Sequence, residues 1–366
     1  MKKNNYIKKF LIAVGVILGV LILIIGAYAA YLFLDYSRIE DNAELKVLNP
    51  VEEKITAGEE HKILTYNIGF AAYLPDFGFF MDGGTESRAK SEESVNETMK
   101  GIARFLKSED ADIIIVEEID KDATRSHHVD QVRFIEDEMN GYNSVFAVNY
   151  DSSYLFYPFR EPIGKSLSGI YTGSRYNISE SIRRSLPIET SLMKFVDLDR
   201  CYSVSRMPVD NGKELVIYSA HLSAYTSDGT IATQQLEMLI ADMKSEYEKG
   251  NYVICGGDFN KDLYGDSSEY FGISGEEYTW AQPFPGELLE GTSLTLVSSL
   301  NEEDPVPSCR NSDSAYHKDQ FVLTVDGFIV SENVTVTECS VADIEFIYSD
   351  HNPVRMTFIL EHQLEE

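Results

Sequence analysis

The sequence predicts an α/β domain with two packed mixed sheets and helices outside them, behind one N-terminal membrane-spanning helix. Three observations carry this. Strand-like and helix-like runs alternate from residue 61 onward. The late strands follow one another with few helices between them, which calls for antiparallel pairing within the sheets. Residues 10–34 form an apolar run of 25 residues without a charge. As a helix rising about 1.5 Å per residue, that run crosses a bilayer with some tilt.

The elements follow in order. Lys2, Lys3, Lys8 and Lys9 precede the apolar run, and Asp35, Glu40 and Asp41 follow it with only Arg38 against them. This asymmetry puts residues 1–9 in the cytoplasm and the remainder outside the cell. Ala27-Tyr28-Ala29 resembles a cleavage site, so a removed signal peptide is the alternative. The run is longer than a usual signal core, which favours an uncleaved anchor. Residues 35–60 are charged and weakly periodic and read as a linker. Over 61–362 no repeat, low-complexity tract or composition shift interrupts the chain, and one domain is the simplest organisation.

Within that domain HKILTYN (61–67) reads as the first strand. Val95, Met99, Ile102, Ala103 and Leu106 share one face of a helix over 94–106. ADIIIVEEI (111–119) is a continuous apolar run of the buried-strand type. Helical spacing returns over 129–140 with Val132, Ile135 and Met139. Residues 144–150, 168–176, 202–209 and 215–222 read as strands. A helix over 231–249 carries Leu236, Leu239, Ile240, Met243 and Tyr247 on one side, and Gly250 suits its end. Further strands are expected at 252–256, 321–330, 334–339 and 354–360. EFIY (345–348) also looks like a buried strand.

Hydrophobic content is 43%, that of a globular chain. Net charge is −29, and with the four N-terminal lysines set aside the remainder carries −33. Such a body repels polyanions at long range, although a bound cation and a few local arginines reverse the sign at a site. None of the four cysteines has metal-site spacing. Cys201 and Cys255 lie in apolar runs and read as core, whereas Cys309 and Cys339 are left open to pairing outside the cell.

The polar residues that end the strands carry the chemistry. Asn67 closes the first strand, and Glu117 and Glu118 interrupt IIIVEEID. His221 follows VIYSA, and Asp258 and Asn260 follow VICGG. Asp326 sits in LTVDGFIVS, and Asp350 and His351 follow IEFIYS. A charge placed in an apolar strand costs desolvation free energy unless it is paired or bound to metal. Oxygen ligands without cysteine point to Mg2+, with Mn2+ or Ca2+ as alternatives, rather than zinc. Glycines in GGDFN let the backbone turn sharply at the sheet edge.

The motifs YN, EE, SG-x4-SR, HL, GDFN, DGFIVS and SDHNP, in that order over residues 61–360, resemble the endonuclease/exonuclease/phosphatase superfamily. The resemblance implies a four-layer α/β sandwich and metal-dependent phosphoester hydrolysis. By motif, Glu118 holds the cation with Asn67, and Asp350 is a metal or neighbouring ligand. Asp258 and Asn260 orient the water and the phosphate. His351 is the base or electrostatic partner, with Asp326 behind it, and His221 donates to a phosphate oxygen. Glu117 stands where the family usually has Gln. Leu167 stands where abasic-site endonucleases have Tyr, and Gly69 where they have Asp. His221 is matched in the sphingomyelinase-like and secreted deoxyribonuclease branches, which the chain is therefore expected to approach more closely.

Loops at 70–88, 122–128, 154–165 and 307–318 are expected to set the substrate, with Arg125, His128, Arg160 and Lys165 available to phosphate oxygens. Tyr154, Phe156, Tyr157 and Phe159 cluster beside Arg160. The expected partner is a small or lipid phosphoester at a membrane. A nuclease and a non-catalytic phospholigand-binding protein are the alternatives. The acidic body argues against the former, since backbone binding draws on many basic residues. The complete set of polar residues argues against the latter. The sequence leaves oligomeric state open.

Overall fold

The computed structural model describes residues 2–189, 191–195, 197–224, 229–273, 280–298 and 305–362. The chain divides into two compact units, Met1–Arg38 and Ile39–Glu366. The first is a helix, α1 (Lys2–Asp35), whose length and composition suit a membrane span; a signal sequence passes the same test.

The second unit runs β1 (Ala43–Glu44), β2 (Glu60–Asn67), α2 (Glu92–Glu109), β3 (Ile113–Ala123), α3 (Gln131–Glu138), β4 (Asn143–Asp151), β5 (Ser166–Ser174), β6 (Glu180–Ser185), β7 (Cys201–Pro208) and β8 (Glu214–His221). It continues with α4 (Thr230–Glu248), β9 (Tyr252–Asp258), α5 (Ser267–Phe271), β10 (Leu294–Val297), β11 (Cys309–Arg310), β12 (Val322–Leu323), β13 (Asp326–Ser331), β14 (Val334–Val341) and β15 (Val354–Leu360). Among the described residues one sheet has the order β1-β6-β7-β8-β9-β13-β10 and the other β14-β15-β2-β3-β5-β4, with β11 and β12 forming a small ribbon. Both large sheets are mixed: β2 pairs parallel with β3, β8 pairs parallel with β9, and their other neighbours are antiparallel.

Alternation along the strands builds the layers. Ile63, Ile113, Ile115, Ile170, Ile217, Ile254, Phe328 and Phe358 are fully buried in the core between the sheets. Leu64, Tyr66, Ile114 and Val116 point the other way, under Val95, Met99 and Ile102 of α2. Val216, Tyr218, Val253 and Cys255 do the same under Leu236, Leu239 and Met243 of α4. Strands covered on both faces read as unbroken apolar runs, and the helix–sheet–sheet–helix layering meets the expectation from sequence.

Three departures have physical causes. The expected linker 35–60 is largely seated on the body. Ile39 N donates to Asp199 Oδ2 at 2.8 Å, Ala43 and Glu44 pair with Arg183 and Ile182, and Ile55 is buried between the sheets. EFIY is a turn rather than a strand. Glu345 and Phe346 have φ of 55° and 53°, and the amides of Ile344 and Phe346 point to Asn352 Oδ1. The 321–330 strand is split, because β12 pairs with β11 and β13 with β9. All four cysteines are free.

Candidate active site

The two parallel pairs end at the same edge of the sandwich. Asn67, at the end of β2, is in register with Glu117 midway along β3, where their pairing stops, and His221 is in register with Asp258 at the ends of β8 and β9. Asp326, at the start of the antiparallel β13, faces Asp258. The C-terminal edge of parallel strands is where open α/β sheets bind ligands.

Local backbone aims the side chains. The β3–β5 register shifts between Val116 and Ile119, and Glu118 has φ 51°. This bulge makes two successive glutamates diverge. Glu117 is fully buried and accepts from Thr65 Oγ1 at 2.6 Å, while Glu118 lines the cavity. Gly257 has φ 146°, and a Cβ there would lie 1.9 Å from Ala220 O. Only glycine brings β9 this close to β8 and delivers Asp258 beside His221.

Asp258 is the hub. Its Oδ2 accepts from Asn67 Nδ2 at 3.1 Å and lies 3.5 Å from His221 Nε2 and 4.0 Å from His351 Nε2. Its Oδ1 accepts from the Asn260 amide at 2.8 Å, and Asn260 Nδ2 donates to Leu222 O at 2.8 Å. Asn67 Nδ2 also reaches Glu118 Oε1 at 3.4 Å, and its Oδ1 accepts from Gly69 N at 3.0 Å. His351 Nδ1 and Ser308 Oγ meet Asp326 Oδ2 at 2.8 and 2.7 Å. Asp350 accepts from Ser312 Oγ at 2.6 Å and Ser349 Oγ at 3.2 Å.

Electrostatics follow from this crowding. Burial, then the charge of Asp326, raises Asp258 to about 7. Burial likewise raises Glu118, against the opposing pull of Arg125. Burial also raises Glu117 to about 8, with Asp326 and Asp258 adding to the effect. His221 is pushed well below the usual imidazole range by burial. Burial opposes the charged form of His351 too, but Asp326 outweighs it and holds the ring well above that range.

A hard cation fits this donor set. Carboxylate oxygens of Asp258 and Asp326 and the ring of His351 lie within 4.8 Å of one another, and the charged His351 offsets only part of the negative charge gathered there. Asp326 Oδ1 and Glu117 Oε2 are buried without a partner. Carboxyl oxygens gathered this closely and left unpaired call for a counter-charge or a proton. Glu118 and Asp350 add carboxylates on the wall of the same cavity, which measures about 220 Å³. Asn67 turns its amide nitrogen, not its oxygen, toward Glu118 and Asp258.

That cavity gathers Glu118, His221, Asp258, Asn260, Asp350 and His351, and Arg125 stands on its wall. Arg125 is engaged already: Nε and Nη2 meet Asp120 at 3.1 and 2.9 Å, and its guanidinium lies 3.9 Å from the Phe70 ring. His128, Arg160 and Lys165 are not on that wall. His128 Nδ1 meets Asp122 Oδ1 at 2.6 Å at the surface, Lys165 Nζ lies 4.0 Å from Asp151, and Arg160 is exposed. Two buried arginines that sequence reasoning missed also line the cavity, Arg200 and Arg310. Arg310 lay inside the flagged 307–318 loop; Arg200, in DLDRCYS, had no motif around it.

A model of the Endonuclease/Exonuclease/phosphatase family matches residues 64–351. The chain belongs to that family. Solved structures agree on the fold. An endonuclease/exonuclease/phosphatase from Beutenbergia cavernae is similar with TM-score 0.59 at 18% identity, over 82% of this chain and 72% of that one. ANGEL2, described as a 2',3'-cyclic phosphatase, is similar with TM-score 0.55 at 17% identity, over 89% and 100%. The human Nocturnin catalytic domain is similar with TM-score 0.54 at 14% identity, over 86% and 96%. No curated protein matches this chain in sequence.

Proposed function

We propose that the protein is a membrane-anchored, divalent-cation-dependent phosphoesterase, with a catalytic domain over residues 61–362 outside the cytoplasm. Its substrate is a small or lipid-headgroup phosphoester. One observation carries the reading: a single buried carboxylate, Asp258, lies between two histidines of opposite tendency, one kept neutral and one kept charged. A purely structural acid has no need of such surroundings.

Glu118 and Asp350 would hold the cation, and Asn67, whose amide nitrogen reaches Glu118, positions that carboxylate rather than ligating; the cation when bound would offset the phosphate charge and stabilise negative charge as it develops. The chain's own groups do the rest. Asp258, positioned by Asn67 and the Asn260 amide, holds the attacking water and takes its proton at Oδ2. His351, charged and fixed by Asp326, faces the phosphoryl oxygens. His221 donates to a phosphate oxygen as charge builds there. Water adds to phosphorus as its proton passes to Asp258, the ester P–O bond breaks, and the leaving oxygen takes a proton from solvent, to which Asp258 later returns the one it took.

A small cavity suits a small phosphoester better than a duplex, and one structural neighbour is described as a 2',3'-cyclic phosphatase. The lipid reading rests on the rim. Phe79 and Met81 line the cavity; the Phe79 and Phe80 rings are 4.8 Å apart, Phe80 and Tyr157 5.6 Å, and Tyr157 and Phe159 5.8 Å. Phe159 is 85% exposed, Met81 64% and Tyr157 61%. An apolar ledge continuous with a catalytic mouth suits a lipid surface. His221 supports a place near the sphingomyelinase-like branch.

The test is hydrolysis of lipid vesicles, small phosphoesters and plasmid DNA, with magnesium and then with chelator. Metal-dependent release of phosphate from the first two, with DNA intact, is expected. Glu118→Ala and His351→Ala should lower it by roughly 10²–10⁴-fold while the circular dichroism melt persists. Activity that survives both changes would overturn these roles.

A further inference from the structure

The roles given to Glu118, His221, Asp258 and His351 serve the reacting phosphate and leave two residues of the same cavity wall unused, Arg200 and Asn149. Arg200 is 7% exposed and Asn149 2%. Arg200 Nε and Asn149 Nδ2 are both buried without a hydrogen-bond partner. Among the described residues the Arg200 guanidinium makes one contact only, from Nη1 to His221 O at 3.5 Å. Asp197, the acid on this part of the wall, accepts from Leu198 N at 2.7 Å and makes no ion pair with Arg200 among the described residues. Buried donors left unpaired cost free energy and need an explanation.

The fold sets these donors side by side on one flank. Asn149 lies near the end of β4, and Arg200 directly precedes β7. Cys201 Sγ lies 3.5 Å from Val148 O, and Arg183 donates to Val148 O and to Asp199 O at 2.7 Å each. In one sheet β8 stands between β7 and β9, and in the other β5 stands between β4 and β3. Two strand spacings, roughly 10 Å, thus separate the flank from Asp258 on β9 and Glu118 on β3. The flank still shares the catalytic cavity. After burial, the charge of Arg200 is the largest influence holding His221 neutral.

We propose that Arg200 and Asn149 form a subsite for a second anionic group, so that the substrate is a phosphoester bearing another phosphate several bonds from the one that reacts. This rests on the phosphoesterase reading for the first phosphate. A guanidinium meets phosphate oxygens with paired, charged donors, and the amide adds a neutral one. The second phosphate belongs to a lipid headgroup or to a free small molecule; the chemistry at the subsite is the same.

The experiment is calorimetry on the full chain in zwitterionic nanodiscs, with magnesium, comparing an alkane bisphosphonate with the matching monophosphonate. Carbon–phosphorus bonds resist hydrolysis, so binding is read without turnover. The bisphosphonate should bind about tenfold more tightly, as a hydrogen bond to a charged group implies. Arg200→Gln and Asn149→Leu should each cut that advantage several-fold. His351→Ala should weaken both ligands and keep the advantage. Discs containing cardiolipin, against discs with phosphatidylglycerol at twice the mole fraction, place two phosphates on one headgroup or the same charge on two. Competition with the bisphosphonate by cardiolipin alone names a lipid, and competition by neither names a free molecule. Equal binding of the two phosphonates, or a full advantage in folded Arg200→Gln and Asn149→Leu proteins, overturns the proposal. Absent hydrolysis with the advantage intact would leave the subsite standing and remove only the phosphoesterase reading.

Discussion

At the scale of single residues, the arginines of the catalytic cavity divide by what already holds them. Arg125 has a bidentate carboxylate and Ser168 Oγ at 3.3 Å. Arg310 donates to the carbonyls of Asn311, Tyr73 and Leu74 and so pins two loops together. Among the described residues Arg200 makes only a 3.5 Å contact with His221 O, and its Nε, like that of Arg310, is buried without a partner. A guanidinium with unspent donors on a catalytic wall is suited to phosphate oxygens. Arg200→Gln should therefore lower kcat/KM by about 10–100-fold, chiefly through KM, as losing a hydrogen bond to a charged group implies. Steady-state kinetics on a soluble phosphoester reads this, and an unchanged KM would remove Arg200 from the binding role. Asn67, Glu118, His221, Asp258, Asp326 and His351 were legible because each is a polar residue in or beside an apolar run. Arg200 was not, because its burial depends on where the loop before β7 lies.

At the scale of elements, apolar periodicity marked β3, β8, β9, α2 and α4, since those elements have a face or both faces in the core. It did not mark β6, whose sequence ESIRRS buries Arg183 by giving its donors to Val148 O and Asp199 O at 2.7 Å each. Nor did it separate EFIY, an apolar turn, from a strand. The outer edge of α4 is fixed by a polar network. Glu246 accepts from Arg206 at 2.7 and 3.1 Å, from Lys249 at 2.7 Å and from Asn251 at 2.9 Å. Burial acts to raise its carboxyl, but these hydrogen bonds prevail and hold it at about 2. A carboxyl depressed in the folded state adds stability above its unfolded value, near 4.3 for glutamate, and that stability is lost as pH falls toward the folded value. Glu246→Gln should thus destabilise by about 1–2 kcal/mol at neutral pH, allowing for solvent screening. The difference should shrink below about pH 4, and parallel denaturant melts across pH would show it. The ledge at 154–164 belongs to this scale too. Replacing Phe156, Tyr157 and Phe159 together by Ser should lower turnover of lipid vesicles several-fold or more and leave soluble phosphoesters unaffected, which paired assays would separate.

At the scale of the whole molecule, the sandwich is two halves built alike: β2-α2-β3 in one sheet and β8-α4-β9 in the other, each ending in catalytic candidates at the shared edge. No sequence repeat signals this, because the likeness lies in pairing direction and not in residues. The gross architecture was still legible, since a sheet buried on both faces demands long apolar strands. What the strands alone withheld was which sheet each one joins. Charge and anchoring meet at this scale as well. A body carrying −33 beyond the N-terminal lysines gains little from polyanions, and those lysines, at the start of α1 ahead of its apolar run, favour retention in the cytoplasm. The expected topology is therefore a cytoplasmic tail and an exposed body. Protease added to intact cells that express the chain with a tag at each end should remove the C-terminal tag and spare the N-terminal one. The protein should also stay with the membrane through alkaline carbonate extraction. A body protected until the cells are permeabilised would reverse the orientation. A soluble mature form beginning just after Ala29 would replace the anchor with a cleaved signal and leave the catalytic reading intact.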